Sequence, residues 1–229
     1  MKRILCLVLS LLMLMSVAPM VANAADVYVF ASGSKGENLE WKLYSDGTLA
    51  ISGSGDMLYE PYNTRDWKHY YDVIKKVEIK NGITSLCKDA FTACYFTEIS
   101  IPDSVISIDE EAFQNCSKLP SITLPNGIKA IKDGTFEGCS ALKSIIIPDG
   151  TEYIGSFAFS GCYALSEISI PESVSGIGEY AFSFCNSLSK ITVLNSDCDI
   201  FDSASTIKAS AVIYGYTNST AHIYAEKYA

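Results

Sequence analysis

Five cysteines, Cys94, Cys116, Cys139, Cys162 and Cys185, carry the most chemical potential in this 229-residue chain, and they are spaced by 22, 23, 23 and 23 positions. A zinc site would need ligand pairs two to five positions apart, which this spacing does not supply. A cysteine nucleophile needs an imidazole within hydrogen-bond reach of its thiol. The two histidines, His69 and His222, lie toward opposite ends of the chain. No metal site, no cofactor site and no catalytic cysteine are therefore expected.

Two other groupings invite a chemical reading. Asp109-Glu110-Glu111 could ligate calcium or hold an acid/base pair, yet the pattern places no partner carboxylate beside it, so a solvated turn is expected. Tyr59, Tyr62, Trp67, Tyr70 and Tyr71 form an aromatic cluster. Such rings either stack on sugars or pack an N-terminal cap onto the rest of the chain, and packing is the favoured of the two. No nucleophile, base and orienting group converge, so a binding protein rather than an enzyme is expected.

The elements that hold these residues follow from the spacing itself. The cysteine period recurs in Phe91, Phe113, Phe136, Phe159 and Phe182, and again in Ile101-Pro102, Leu124-Pro125, Ile147-Pro148 and Ile170-Pro171. Three columns in one register define a repeat. Copies begin at Val77, Ile99, Ile122, Ile145 and Ile168, and a sixth begins at Ile191 before losing the pattern. Ile-x-Ile alternation makes a short strand with both isoleucines inward, and proline ends it by removing a backbone donor. Ala-Phe-x-x-Cys-x-x-Leu spaces apolar groups by three or four, which suits a short helical or 3-10 return. One copy alone cannot bury its apolar side, but stacked copies share continuous Ile, Phe, Cys and Leu columns.

The register Leu-x-x-Ile-x-Ile-Pro followed by Ala-Phe-x-x-Cys resembles the BspA-like leucine-rich repeats of bacterial surface and secreted proteins. The match covers Val77 to Leu194, with Thr135 replacing Ala, Thr151 in an apolar column and Leu194 replacing Pro. The resemblance implies an α/β solenoid: a right-handed leucine-rich repeat superhelix with a parallel β ladder, about five coils long. It also implies a secreted or cell-surface protein of adhesion type. Its partner would be a protein ligand on a host cell, a neighbouring cell or the extracellular matrix. A carbohydrate-binding role through the aromatic cluster is the alternative.

The flanks read differently. Lys2 and Arg3, the 14-residue apolar run Ile4–Val17 and Ala22-Asn23-Ala24 form a signal peptide over residues 1–24, too short to span a bilayer. Cys6 is misplaced for lipid attachment, and no stable membrane insertion is expected after cleavage. Residues 25–76 are read as an N-terminal cap built on a hairpin around Asp46-Gly47, residues 77–194 as the repeats, and residues 195–229 as a C-terminal cap. That last cap holds a strand near Ile213 and a helix capped by Asn218 or Ser219. Without Lys2 and Arg3 the chain carries 15 basic and 26 acidic side chains, a net charge of −11, which disfavours nucleic acid as a partner. A monomer is expected.

An exported chain with cysteines outside its leader would ordinarily form disulfides, and adjacent coils bring thiols within bonding range. Five thiols in one column cannot all pair, however, and each fills a small apolar place, so free buried thiols are expected. Cys87 and Cys198 fall outside the column and far from each other. The strands leave two columns exposed: Glu98, Ser121, Ser144, Glu167, Lys190 and Ser100, Thr123, Ile146, Ser169, Thr192. These ten residues are the expected ligand-binding face, with Ile146 at its centre.

Overall fold

The computed structural model describes residues 27–35, 38–59, 67–208 and 210–228, so the expected leader and Tyr62 lie outside the described residues. The described residues begin with three antiparallel strands, β1 (Val29–Lys35), β2 (Leu39–Tyr44) and β3 (Thr48–Gly53). Gly47, at φ 90°, makes the tight turn between β2 and β3, and the Asp46 carboxylate accepts the Thr48 amide at 2.8 Å. The hairpin is thus present, and β1 adds a strand to it. β3 then pairs in parallel with Lys76–Ile79, so the cap supplies the first rung of the stack.

From there the chain makes about six turns of a parallel β-solenoid. One side of each turn carries the expected ladder, through Glu98–Ser100, Ser121–Ile122, Ser144–Ile145, Glu167–Ile170, Lys190–Val193 and Val212–Tyr214. The ladder falls into three hydrogen-bonded pieces rather than one continuous sheet. Pro120 explains the first break. The amides of Lys143, Ser166 and Ser189 each donate to the coil before, and proline has no amide to offer at the equivalent place. Ile101, Leu124 and Ile147 lie just past their strand ends, and Ile99 and Ile101 are only half-buried.

A second ladder runs along the next side, through Ile83–Leu86, Ser107–Ile108, Ala130–Ile131, Tyr153–Ile154, Gly176–Ile177 and Asp199–Ile200. The prolines connect the two sides. The carbonyls of Pro102, Pro125, Pro148 and Pro171 accept the amides of Val105, Ile128, Thr151 and Val174, closing a turn that buries those residues.

The third side corrects the expected helical or 3-10 return. Its residues do close i→i+3 turns, as in Cys94 amide to Phe91 carbonyl, but every second amide leaves the coil. Phe91, Phe113 and Phe136 donate to Ala112, Thr135 and Ala158 of the following coil at 2.8, 3.0 and 2.9 Å. Left-handed residues flanking each phenylalanine, such as Glu111, Asn115, Gly134 and Gly138, turn alternate amides outward and prevent helix propagation. Only Lys68–Tyr70 is a 3-10 helix and only Thr220–Tyr228, here α1, an α-helix among the described residues.

Inside, Phe91, Phe113, Phe136, Phe159 and Phe182 stack at 5.4 to 5.6 Å with planes within 12°. Trp67 extends the stack over Phe91 at 6.1 Å, and Ile207 bridges Phe182 at the other end. The sixth copy therefore closes with Thr206-Ile207 where earlier copies use Ala-Phe. The departures from the repeat are satisfied locally. Thr135 Oγ1 donates to Lys132 O and Thr151 Oγ1 to Ile128 O, at 2.8 and 3.1 Å. Phe96 takes the missing Leu's place against Phe91. At the end of the stack, Ser219 Oγ accepts the His222 amide and caps α1.

All seven described cysteines are buried thiols that form no disulfide. Cys116, Cys139, Cys162 and Cys185 each donate from Sγ to the carbonyl of the preceding coil's phenylalanine at 3.1 to 3.2 Å. Burial pushes the Cys139 and Cys185 thiols up to about 12 and Cys198 to about 11, and raises Cys116 and Cys162.

Phe136→Ala removes the central ring of the stack and lowers stability by about 3–5 kcal/mol, read from urea unfolding; an unchanged midpoint would show that the ring is not part of the core. The raised thiol pKa values hold stability in full below about pH 9, where unfolded thiols also stay protonated. Above that the unfolded state releases protons first, so stability falls as pH rises from about 9 to 12, by up to about 1.4 kcal/mol per unit per thiol. Unfolding midpoints at pH 8 and 10.5 will differ, and differ less in Cys139→Ala; a flat profile would contradict the buried neutral thiols.

Candidate functional site

The ten expected residues lie on one surface, the outward side of the first ladder. Parallel pairing sets Glu167 beside Lys190 and Ser169 beside Thr192, while Ser121 pairs with Ser144. Nine of them are exposed and Thr192 is half-buried. Ile146 is 84% exposed, the most open large apolar side chain of the described residues. Around it a shallow depression of about 340 Å³ is lined by Ser144, Ile146, Glu167, Ser169, Lys190 and Thr192. The depression joins residues of three successive coils, which a single copy could not do.

Sequence reasoning missed the extensions of this face. Above Glu98 and Ser100 come Lys76 and Glu78, and below Lys190 and Thr192 come Val212 and Tyr214. Lys76 bonds Glu98 at 2.8 Å and Glu78 at 3.4 Å, so the upper charges neutralise one another. Their outward placement was readable from the alternation at Val77, which is buried between them. Lys190 lies 5.1 Å from the centre of the Tyr214 ring, a cation–π contact at the lower edge. The middle of the face thus offers hydroxyls and one isoleucine between two charged margins.

The remaining candidates resolve into structural roles. Trp67, the main support for sugar stacking, is only 1% exposed; its Nε1 donates to the Ala90 carbonyl at 3.3 Å and its ring packs on Trp41 and Phe91. It therefore caps the phenylalanine stack and cannot receive a sugar. Tyr59 and Tyr71 are exposed, and Tyr71 packs edge-on against Tyr95. The Asp109-Glu110-Glu111 run is held by lysines of adjacent coils: Lys132 bonds Asp109 at 2.7 Å, and Lys88 bonds Glu110 and Glu111 at 3.1 and 3.4 Å. Exposed pairs of this kind contribute little to stability. His222 accepts the Asn218 amide and contacts Glu226 within the C-terminal cap. No group of three or more His, Cys, Asp or Glu residues is placed to hold a metal among the described residues.

Comparison with known proteins bears on this architecture. Among solved structures, the pneumococcal vaccine antigen PcpA is similar at 21% identity and TM-score 0.57, over 80% of this chain and 44% of its own. The leucine-rich repeat protein TpLRR of T. pallidum is similar at 22% identity and TM-score 0.52, over 79% of this chain and 80% of its own. Both show the fold. A leucine-rich repeat protein from Bacteroides ovatus has 28% identity and TM-score 0.48, over 78% of this chain and 54% of its own. The chain thus spans about half the length of the B. ovatus protein and less than half of the antigen. A comparison with curated proteins finds no match. A comparison with protein families matches residues 84–209 to six copies of the BspA type leucine rich repeat region. With more than half of its length in that match and every inward column of the repeat filled, the chain belongs to the BspA-type leucine-rich repeat family.

Proposed function

We propose that this is a secreted or cell-surface interaction protein that binds a protein ligand through the outward face of its first ladder. The observation that carries the reading is Ile146, an open apolar side chain in a depression whose rim is Ser144, Glu167, Ser169, Lys190 and Thr192. Interfaces concentrate affinity in such a centre, with a polar rim that excludes water. A flat face of strands, stiffened by hydrogen bonds and by a solid core, loses little conformational entropy when it is covered. The stack winds as a right-handed superhelix and needs no cofactor for binding.

The site spans several coils, which suits a folded surface of another protein better than a small molecule. Partners on a host cell, a neighbouring cell or in the extracellular matrix fit an exported adhesion-type protein. The membership of a vaccine antigen among the fold neighbours supports a surface location.

The test is binding to a panel of immobilised extracellular matrix and cell-surface proteins. Changing Ile146→Asp, Thr123→Lys and Ser169→Lys together replaces the apolar centre with charge and leaves every core column intact. It is expected to weaken capture of the bound partner at least about tenfold with the melting temperature nearly unchanged. Undiminished binding by the triple variant would contradict the assignment of the face.

A further inference from the structure

A second surface stands out on the return side of the fourth and fifth copies. The left-handed position that Gly134 fills in the third copy holds Phe157 at φ 57° and Tyr180 at φ 56° in the next two. Bulky L residues avoid this conformation. Burial does not offset the strain, since Phe157 is 41% exposed. The two rings stack at 5.0 Å and 22°.

Two more rings join them. Tyr153, 42% exposed, lies over Gly176 and Gly178, where an added Cβ would meet its ring at 3.0 Å and its phenol oxygen at 2.9 Å. In the following coil Phe201, 44% exposed, donates its amide to the Ile177 carbonyl and so borders Gly178. Four rings from three coils therefore share one surface.

Carboxylates border it. Asp133 accepts the Ser156 amide at 2.8 Å beside Phe157, Glu179 precedes Tyr180, and Asp199 pairs with Gly176. The Tyr153 phenol is held above its ordinary pKa by burial first and then by the charges of Asp133 and Asp199, so both carboxylates lie near this ring. The nearby lysines are engaged elsewhere: Lys129 with Glu152, Lys132 with Asp109 and Lys227 with Asp202. Among the described residues no cation is bonded to Asp133, Glu179 or Asp199. The surface is both aromatic and uncompensated in negative charge, on a chain of net charge −9.

Ring faces attract guanidinium and ammonium groups, and adjacent carboxylates strengthen that preference. We propose that Tyr153, Phe157, Tyr180 and Phe201, with Asp133, Glu179 and Asp199, form a second docking surface for an arginine- or lysine-bearing segment of a partner protein. The surface is distinct from the Ile146 face, and its occupation does not depend on that face.

The test titrates a fluorescent peptide of eight arginines into the chain lacking its leader. In Phe157→Gly with Tyr180→Gly the rings are removed, the net charge is kept, and glycine suits the left-handed backbone. This variant is expected to bind at least about tenfold more weakly with the melting temperature preserved. Asp133→Asn with Glu179→Gln and Asp199→Asn keeps the rings and is expected to lose a similar factor, whereas Ile146→Ser leaves the affinity unchanged. Equal binding by the wild type and the ring variant would reduce the attraction to net charge, and equal binding by the wild type and the carboxylate variant would show that these carboxylates take no part; either result overturns the proposal. Loss on Ile146→Ser would place the peptide on the strand face and overturn it as well. So would binding of a neutral hexasaccharide, lost in the ring variant, where the arginine peptide does not bind.

Discussion

The parallel stacking of the phenylalanine rings, from Trp67 through Phe182 to Ile207, is the interaction on which the rest of the structure depends. Rings at about 5.5 Å leave room for one coil per ring and nothing between, so each coil must place its phenylalanine where its neighbours do. That demand explains the return. A helix would satisfy its own amides and need not keep the coils in contact, whereas alternate amides donated across the gap bind each ring's backbone to the next coil. It also explains the thiols. A cysteine three positions after each phenylalanine fills a small space, and from Cys116 to Cys185 it adds a weak donor to the carbonyl of the preceding coil's phenylalanine, which alanine or valine could not.

The outward positions face no such demand, and they vary. Along the first ladder they change from paired charges at Lys76, Glu78 and Glu98 to hydroxyls and Ile146, then to Glu167, Lys190 and Tyr214. On the return side they change from Gly134 to Phe157 and Tyr180 although the backbone there favours glycine. Binding character in a stacked protein resides in such places, where the core makes no demand on the side chain and a particular one is present.

Much of this was legible in the sequence. The 23-residue period fixes which residues share a column, and strand alternation decides which columns point out, so the core phenylalanines and the ten residues of the face could be named directly. What escaped depends on backbone hydrogen bonds between coils, which leave no periodic side-chain signal. The second ladder rests on two-residue strands such as Tyr153–Ile154 and Gly176–Ile177, too short for alternation to register. The break at Pro120 needs the knowledge that its position is a donor in the other coils. Trp67 lies outside the repeat register, so nothing in the spacing showed that it continues the ring column. The patch around Tyr153 draws on three coils and was likewise hidden, since only Phe157 and Tyr180 of its four rings share a column and neither belongs to the strand alternation.

The central claim is that stability passes from ring to ring between neighbouring coils, and a double-mutant cycle tests it most directly. Phe113→Leu and Phe136→Leu remove adjacent rings, whereas Phe113→Leu and Phe182→Leu remove rings separated by two others. Urea unfolding of the singles and doubles should give a coupling of about 0.5–1.5 kcal/mol for the adjacent pair and none beyond error for the distant pair. Equal coupling in both pairs, or none between Phe113 and Phe136, would contradict the account.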